Sequence, residues 1–246
     1  MIPKTIHYCW FGRGELTALA SKCIASWKSF FPDYEIKEWN EDDFDVNTLS
    51  YTAEAYREGK YAFVSDYVRF WVLYHHGGLY FDTDVEVIGS MTDVIDRGPF
   101  MGFEFIKQGV GFAVAPGLGL AAEPGMAGYK EILERYATMH FRLQNGEQNP
   151  LSMIPMVTGM LKDKGLTGNG TIEIVAGINF YPPDWFNPFD DATGRLRKSE
   201  NTRSIHWFAK SWLPKEPAWR IGVKRFARRV IGTDNLLRIK RLFHLG

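Results

Sequence analysis

The stretch FVSDYVRFWVLYHHGGLYFDTDVEV, residues 63–87, decides the fold. Phe63, Val64, Tyr67, Val68, Phe70, Trp71, Val72, Leu73 and Tyr74 cover nearly every side of a helix. A helix that is apolar all round is buried. His75 and His76 lead into Gly77-Gly78, a helix end of the expected kind. Residues 79–81 form a brief apolar strand that runs into Asp82-Thr83-Asp84, and Val85-Glu86-Val87 extends the β pattern. A buried helix followed at once by a strand belongs to a layered α/β protein.

Working outward, the same alternation continues. Residues 6–11 read as a short strand ending at Gly12-Arg13-Gly14. Leu19, Cys23, Ile24, Trp27 and Phe31 recur at helical spacing until Pro32. Residues 34–39 read as a second strand, 40–43 as an acidic turn and 52–58 as a helix closed by Gly59. Alternating elements predict a mostly parallel sheet covered by helices. Residues 100–128 are rich in Gly, Ala and Pro, with strand-like pieces around Phe103 and Phe112. Residues 129–141 and 151–164 read as helices, 171–175 and 204–208 as strands, and the proline-rich 181–190 as irregular.

Composition bounds the function. The 246 residues are 45% hydrophobic and carry 29 basic and 29 acidic side chains. That suits one large domain, or a domain with a short appendage, and excludes disorder, collagen and coiled coil. No apolar run approaches the roughly 18 residues of a membrane-spanning helix, and Met1 to Thr5 do not open a secretory signal. Cys9 and Cys23, without metal spacing, are expected as buried thiols in a reducing, cytoplasmic setting. The neutral total hides an asymmetry: residues 220–246 hold eight basic side chains and one acid, Asp234. One end is therefore built for an anionic partner.

Three constellations can carry chemistry. Asp82 and Asp84 follow an apolar strand, and ligands gather at the carboxyl ends of strands in α/β sheets. Extended backbone sends both carboxylates to one side, where they share Mg²⁺ or Mn²⁺ bridging to phosphate. The plainer reading is a solvated acidic turn. Asp66 and Arg69, at i and i+3 on the buried helix, form either an internal ion pair or an opening toward a polar ligand. His206 and Trp207, with Ser211 and Trp212, follow a late β run, where an imidazole suits Mn²⁺ and Lys210 with Ser211 suits phosphate. His75-His76 are assigned to the helix dipole rather than to a site.

Together, Ile2-Pro3-Lys4-Thr5-Ile6-His7, Ser65-Asp66-Tyr67-Val68-Arg69, Gly77-Gly78-Leu79-Tyr80-Phe81-Asp82-Thr83-Asp84 and Asn201-Thr202-Arg203-Ser204-Ile205-His206-Trp207 with Ser211-Trp212 resemble the family-32 glycosyltransferases. These include bacterial capsule and lipopolysaccharide enzymes, relatives of the yeast initiating mannosyltransferase and of the clostridial toxin glucosyltransferase domains. The resemblance implies a GT-A fold, a Rossmann-like sheet, over residues 1–215, with 216–246 as a basic tail. It implies metal-dependent, retaining transfer of a hexosyl or N-acetylhexosaminyl group from a nucleotide-sugar, UDP favoured over GDP, to a glycan or lipid-linked glycan. Carried over by position, Asp82, Asp84 and His206 hold Mn²⁺ or Mg²⁺, and Trp10 stacks on the base. Asp66 and Arg69 contact ribose and sugar, Arg69 standing with the two aspartates in the catalytic set. Tyr80 joins the donor-binding set, and Lys210, Ser211 and Trp212 hold the leaving diphosphate. Glu104 and Gln148 are further sugar contacts, and no nucleophile is identified.

The tail lies beyond the resemblance. Val223, Phe226, Ala227, Val230 and Ile231 make an apolar stripe opposite Lys224, Arg225, Arg228 and Arg229. Leu236, Ile239, Leu242 and Phe243 repeat the pattern. A basic amphipathic helix lies on an anionic membrane, here the inner face of the cytoplasmic membrane, and the acidic body argues against nucleic acid. The alternative is a tail helix packed on the domain with its basic face in water. Two rival functions stand beside the transferase. One is a haloacid-dehalogenase-type phosphatase with Asp82 as nucleophile, for which Glu86 is the wrong residue. The other is a non-catalytic sugar-nucleotide or glycan-binding module on a membrane.

Overall fold

Strict alternation along the central strands gives both faces of the sheet something apolar to bury. Ile6 and Tyr8 face one hydrophobic cluster while Cys9 faces the other. Leu79 and Phe81 likewise oppose Tyr80, and Phe100 opposes Met101. A sheet apolar on both faces must be covered on both, and the computed structural model shows three layers, helix, sheet and helix. It describes residues 1–149, 151–210 and 217–232.

The elements in chain order are β1 (Thr5–Cys9), α1 (Ala18–Phe30), β2 (Glu35–Trp39), α2 (Ser50–Arg57), α3 (Tyr61–His76), β3 (Gly78–Tyr80) and β4 (Val85–Val87). There follow α4 (Thr92–Ile95), β5 (Phe100–Lys107), β6 (Gly111–Val114), β7 (Leu120–Ala122), α5 (Ala127–Ala137) and α6 (Met153–Asp163). The last are β8 (Glu173–Val175), β9 (Ile178–Tyr181), α7 (Pro183–Phe186), β10 (Phe189–Asp190), β11 (Arg195–Leu196), β12 (Ser204–His206) and α8 (Ala218–Ile231).

The main sheet runs β2-β1-β3-β7-β5-β9-β8, with β6 paired to β5. β1, β2, β3, β5 and β9 point one way, and β6, β7 and β8 the other. The sheet is therefore mixed, with most of its strands running in one direction. β4 leaves it and pairs antiparallel with β12, Val85 opposite His206. That small two-stranded sheet brings the two motifs separated by more than a hundred residues to one place.

α3 is the helix of the opening stretch. Val64, Val68, Phe70, Val72 and Leu73 are completely buried, under α2 and α5 on one side and against the sheet on the other. It stops at Gly77, φ +66°, whose N–H returns to the Leu73 carbonyl at 2.9 Å. Gly78, φ +95°, follows, and a Cβ there would come within 2.6 Å of the Thr5 carbonyl oxygen. This close approach lets His7 tie β1 to the helix end. Its Nδ1 accepts from Trp39 Nε1 at 3.1 Å, so its Nε2 carries the proton donated to the Gly77 carbonyl at 3.0 Å.

Residues 181–190 are more regular than their prolines suggest. Pro183 opens α7, where its missing N–H costs nothing, and Phe189–Asp190 pairs with Arg195–Leu196. At the far end, α8 meets the domain through arginines instead of apolar side chains. The stripe of residues 236–243 and the expected boundary at 215 lie outside the described residues.

Candidate active site

Because β1 and β3 run parallel, their carboxyl ends open on the same edge of the sheet. Trp10 follows the first and Asp82 the second, and both line a cleft of about 1560 Å³. Asp66, Arg69, Asp84, Glu104, His206 and Lys210 line it as well.

Arg69 is the pivot of one wall. Its side chain is 3% exposed, and its Nη2 stands 2.9 Å from Asp82 Oδ1 and 3.1 Å from Asp66 Oδ1. Nε donates to the Ser65 carbonyl at 3.2 Å, and Nη1 lies 3.1 Å from Met153 Sδ. Tyr80 adds its hydroxyl proton to Asp82 Oδ1 at 3.1 Å, and its ring lies 5.1 Å from the guanidinium carbon. The pair of the buried helix is thus an internal ion pair and a cleft wall at once. Burial pushes the Asp66 carboxyl up to about 6, against the pull of Arg69. Burial also raises Asp82, again opposed by Arg69.

Asp84 belongs to a second wall. The backbone turns after Asp82, the Val85 N–H bonding back to the Asp82 carbonyl at 3.0 Å, so the two carboxylates separate rather than sharing the one side that extended backbone would give. Asp84 Oδ1 stands 3.3 Å from His206 Nε2, and Oδ2 accepts the Ala209 N–H at 2.7 Å. Burial would raise Asp84, but His206 and the Ala209 N–H outweigh it and hold the carboxyl below its ordinary value. Burial would lower His206, yet Asp84 outweighs it and holds the imidazole above its ordinary value. The strap from His206 to Lys210 crosses the left-handed region at Phe208, φ +51°, and Lys210, φ +49°. It is held there by Asp84 and by the ion pair of Lys210 with Asp191.

Among the described residues, no three His, Cys, Asp or Glu side chains converge closely enough to hold a cation unaided. Asp84 and His206 do offer a carboxylate oxygen and a ring nitrogen side by side, and His206 Nδ1 is buried without a partner. Mg²⁺ and Mn²⁺ are commonly held by one or two protein ligands, with substrate phosphates and water completing the shell. The donor set fits such an ion, with Asp82 turned to Arg69 instead.

Gly117 is a cleft residue that carries no signal in the sequence. A Cβ on it would stand 2.0 Å from Asp82 Oδ2 and 3.3 Å from Arg69 Nη1. Trp10 lies at the rim, its Nε1 donating to the Gly14 carbonyl at 2.6 Å. Glu104, on β5, has no hydrogen-bond or ion-pair partner for its carboxylate among the described residues, and burial raises its pKa. Ser211 and Trp212 lie outside the described residues.

Residues 17–101 match the family described as the glycosyltransferase sugar-binding region containing DXD motif, a span that includes Asp66, Arg69, Tyr80, Asp82 and Asp84. That span, 85 of the 246 residues, is similar to the DXD region of glycosyltransferases. The PaToxG glycosyltransferase structure superimposes with a TM-score of 0.50 at 19% identity, covering 67% of this chain and 70% of its own, and the shared fold is GT-A. The galactosyltransferase LgtC, solved with donor and acceptor sugar analogues, aligns at 15% identity over 91% of this chain and 95% of its own, with a TM-score of 0.44. A glycosyltransferase involved in glycosylation of the major capsid of PBCV-1 aligns at 12% identity over 90% and 99%, with a TM-score of 0.46. No curated protein matches the chain. The match to the DXD region speaks for Asp82 and Asp84 as a transferase motif over Asp82 as a phosphatase nucleophile. Trp10, His206 and Lys210 fall outside the matched span, and what joins them to the motif is the β4–β12 pairing and the shared cleft.

Proposed function

We propose that the chain moves a sugar, hexosyl or N-acetylhexosaminyl, from a UDP-sugar to a hydroxyl of a glycan or lipid-linked glycan in surface-polysaccharide synthesis, with retention of configuration. The observation that supports this best is the sorting of the motif's two carboxylates, Asp82 to Arg69 and Tyr80, Asp84 to His206. Asp84 and His206 are the residues that would hold Mn²⁺ or Mg²⁺, which when bound offsets negative charge on a departing nucleoside diphosphate.

The remaining roles follow from position. Asp82, fixed on two sides, presents its free oxygen to the donor. Asp66 and Arg69 form the wall against ribose and sugar, and a wall fixed by buried ion pairs holds a substrate without rearrangement. Trp10 offers a ring to the base from the rim. Lys210, now paired with Asp191, reaches a diphosphate only by exchanging partners, and Ser211 and Trp212 follow it in the chain. Glu104 accepts a sugar hydroxyl, which would give its partly buried carboxylate a donor, and Gln148 lines the same cleft.

A thermal-shift screen of UDP, GDP and their sugars, with and without Mn²⁺, tests the reading. A ligand that binds only the folded state stabilises it by about 2.7 kcal/mol at a hundredfold excess over Kd. The expected result is a shift with UDP that requires Mn²⁺ and is absent in Asp84→Asn. A Mn²⁺-independent shift of equal size in Asp84→Asn, or none with any nucleotide, would overturn it.

A further inference from the structure

α8 sits on the domain with its apolar side outward. Trp219, Val223, Phe226 and Val230, spaced i, i+4, i+7 and i+11, fall on one strip and are 67%, 61%, 68% and 68% exposed. The arginines of the opposite side hold the helix in place. Arg225 Nε donates to the Asp191 carbonyl at 3.2 Å, and its Nη2 pairs with Asp191 Oδ1 at 3.1 Å. Arg228 Nη1 reaches the Ala192 carbonyl at 3.3 Å, and Arg229 donates to the carbonyls of Thr193 and Gly194 at 2.6 and 3.1 Å. This reverses the usual order, in which a tail helix hides its apolar stripe and leaves its cations in water. It also adds Trp219 to the stripe expected from sequence.

What covers the strip follows from what borders it. Arg220 lies on one shoulder, and residues 218–231 contain five cations, Arg220, Lys224, Arg225, Arg228 and Arg229, and no acid. A strip of aromatic and aliphatic side chains with cations at its edges is the pattern of a helix lying flat in the headgroup region of an anionic bilayer. Tryptophan is favoured at that depth, where its ring is apolar and its N–H meets water. The strip lies along a single helix, which suits a deformable lipid surface.

We propose that α8 is an interfacial anchor, with Trp219, Val223, Phe226 and Val230 seated among the headgroups of an anionic membrane and Arg220 at their shoulder facing lipid phosphates. The anchor is fastened to the cleft itself. Asp191, which Arg225 grips, is also the partner of Lys210, and both Asp191 and Ala192 line the cleft. Seating α8 therefore brings the cleft rim to the lipid surface, where a lipid-linked acceptor would be presented. This last consequence rests on the transferase reading, whereas the anchoring does not.

Co-sedimentation of the full chain with phosphatidylcholine vesicles, with and without phosphatidylglycerol, tests the anchor. The chain is expected to bind the anionic vesicles and to release as salt rises. The Trp219→Ser, Phe226→Ser double variant should bind at least roughly tenfold more weakly. Its thermal unfolding should match the parent, because both side chains face solvent. Arg220→Gln should weaken binding and flatten its salt dependence. Absence of binding by the parent chain, or undiminished binding by the double variant, would overturn the proposal. So would light scattering that shows a dimer broken by the double substitution in place of vesicle binding. Vesicle binding is read without catalysis, so failure of sugar transfer leaves this result standing, and transfer to a water-soluble acceptor without vesicle binding would refute the anchor alone.

Discussion

Arg69 is the one ion-pair partner of both Asp66 and Asp82 among the described residues, and this makes it the most exposed point of the account. Replacing it with methionine leaves Asp66 and Asp82 facing each other inside the cleft wall. Removing one partner of a buried ion pair typically costs about 3–5 kcal/mol. Urea unfolding of Arg69→Met at neutral pH should show a loss of that order, and a loss within error would mean the network is incidental. Gly117 acts through space alone. A methyl group there cannot coexist with Asp82 in its present position, since Asp82 is held by both Arg69 and Tyr80. Gly117→Ala should therefore reduce kcat/KM for sugar transfer by roughly tenfold to a hundredfold, as small displacements of positioning groups do, while far-UV circular dichroism stays unchanged. Full activity would show that Asp82 is free to move. At this scale the sequence is a good guide to charged residues and a poor one to glycines. Asp82 and Asp84 announce themselves by following an apolar strand, and Arg69 by sitting in a buried helix. Gly117 lies in Ala-Pro-Gly-Leu-Gly, which reads as any turn does.

Among the elements, those built on one local period were legible. α3 shows its burial by being apolar all round and its end by two glycines, and β1, α1 and β2 lie within a residue or two of their sequence-read bounds. The elements that were not legible depend on distant partners. β7 is only Leu120–Ala122, too short for any alternation, and exists because β3 and β5 flank it. β9, Ile178–Tyr181, precedes prolines and is fixed by β5, seventy-odd residues upstream. β4 continues the pattern of β3 in sequence, yet departs to β12, which only the fold could supply. The junction of β1, β2 and α3 makes its own prediction through His7. Burial lowers its pKa from 6.5 to about 4, partly opposed by the Gly77 carbonyl. The folded state thus binds this proton less readily than the unfolded chain does. Its contribution to stability is whole above pH 6.5, declines as the pH falls toward 4, and changes no further below that. At about 1.36 kcal/mol per unit, the window spans about 3 kcal/mol. Urea midpoints at pH 7 and pH 4.5 should fall further in the parent chain than in His7→Gln. Equal falls would assign the acid sensitivity elsewhere.

Taken whole, the molecule is a covered mixed sheet whose parallel strands deliver their ends to one cleft, with a basic helix riveted to the rim. The cleft was legible because several of its lining residues come from motifs, and the helix was legible as amphipathic. Its orientation was not legible, because periodicity says which residues share a face and never which face turns inward. No helix among the described residues is long and apolar enough to cross a membrane. The central claim is that this cleft activates a nucleotide-sugar with the help of a cation held by Asp84 and His206. Release of UDP from a panel of UDP-sugars, followed with Mn²⁺ and with chelator in the parent chain and in Asp84→Asn, tests it most directly. The account predicts release from at least one UDP-sugar with Mn²⁺, none with chelator, and near-complete loss in the variant. Release that persists in chelator, or that survives Asp84→Asn undiminished, would contradict it.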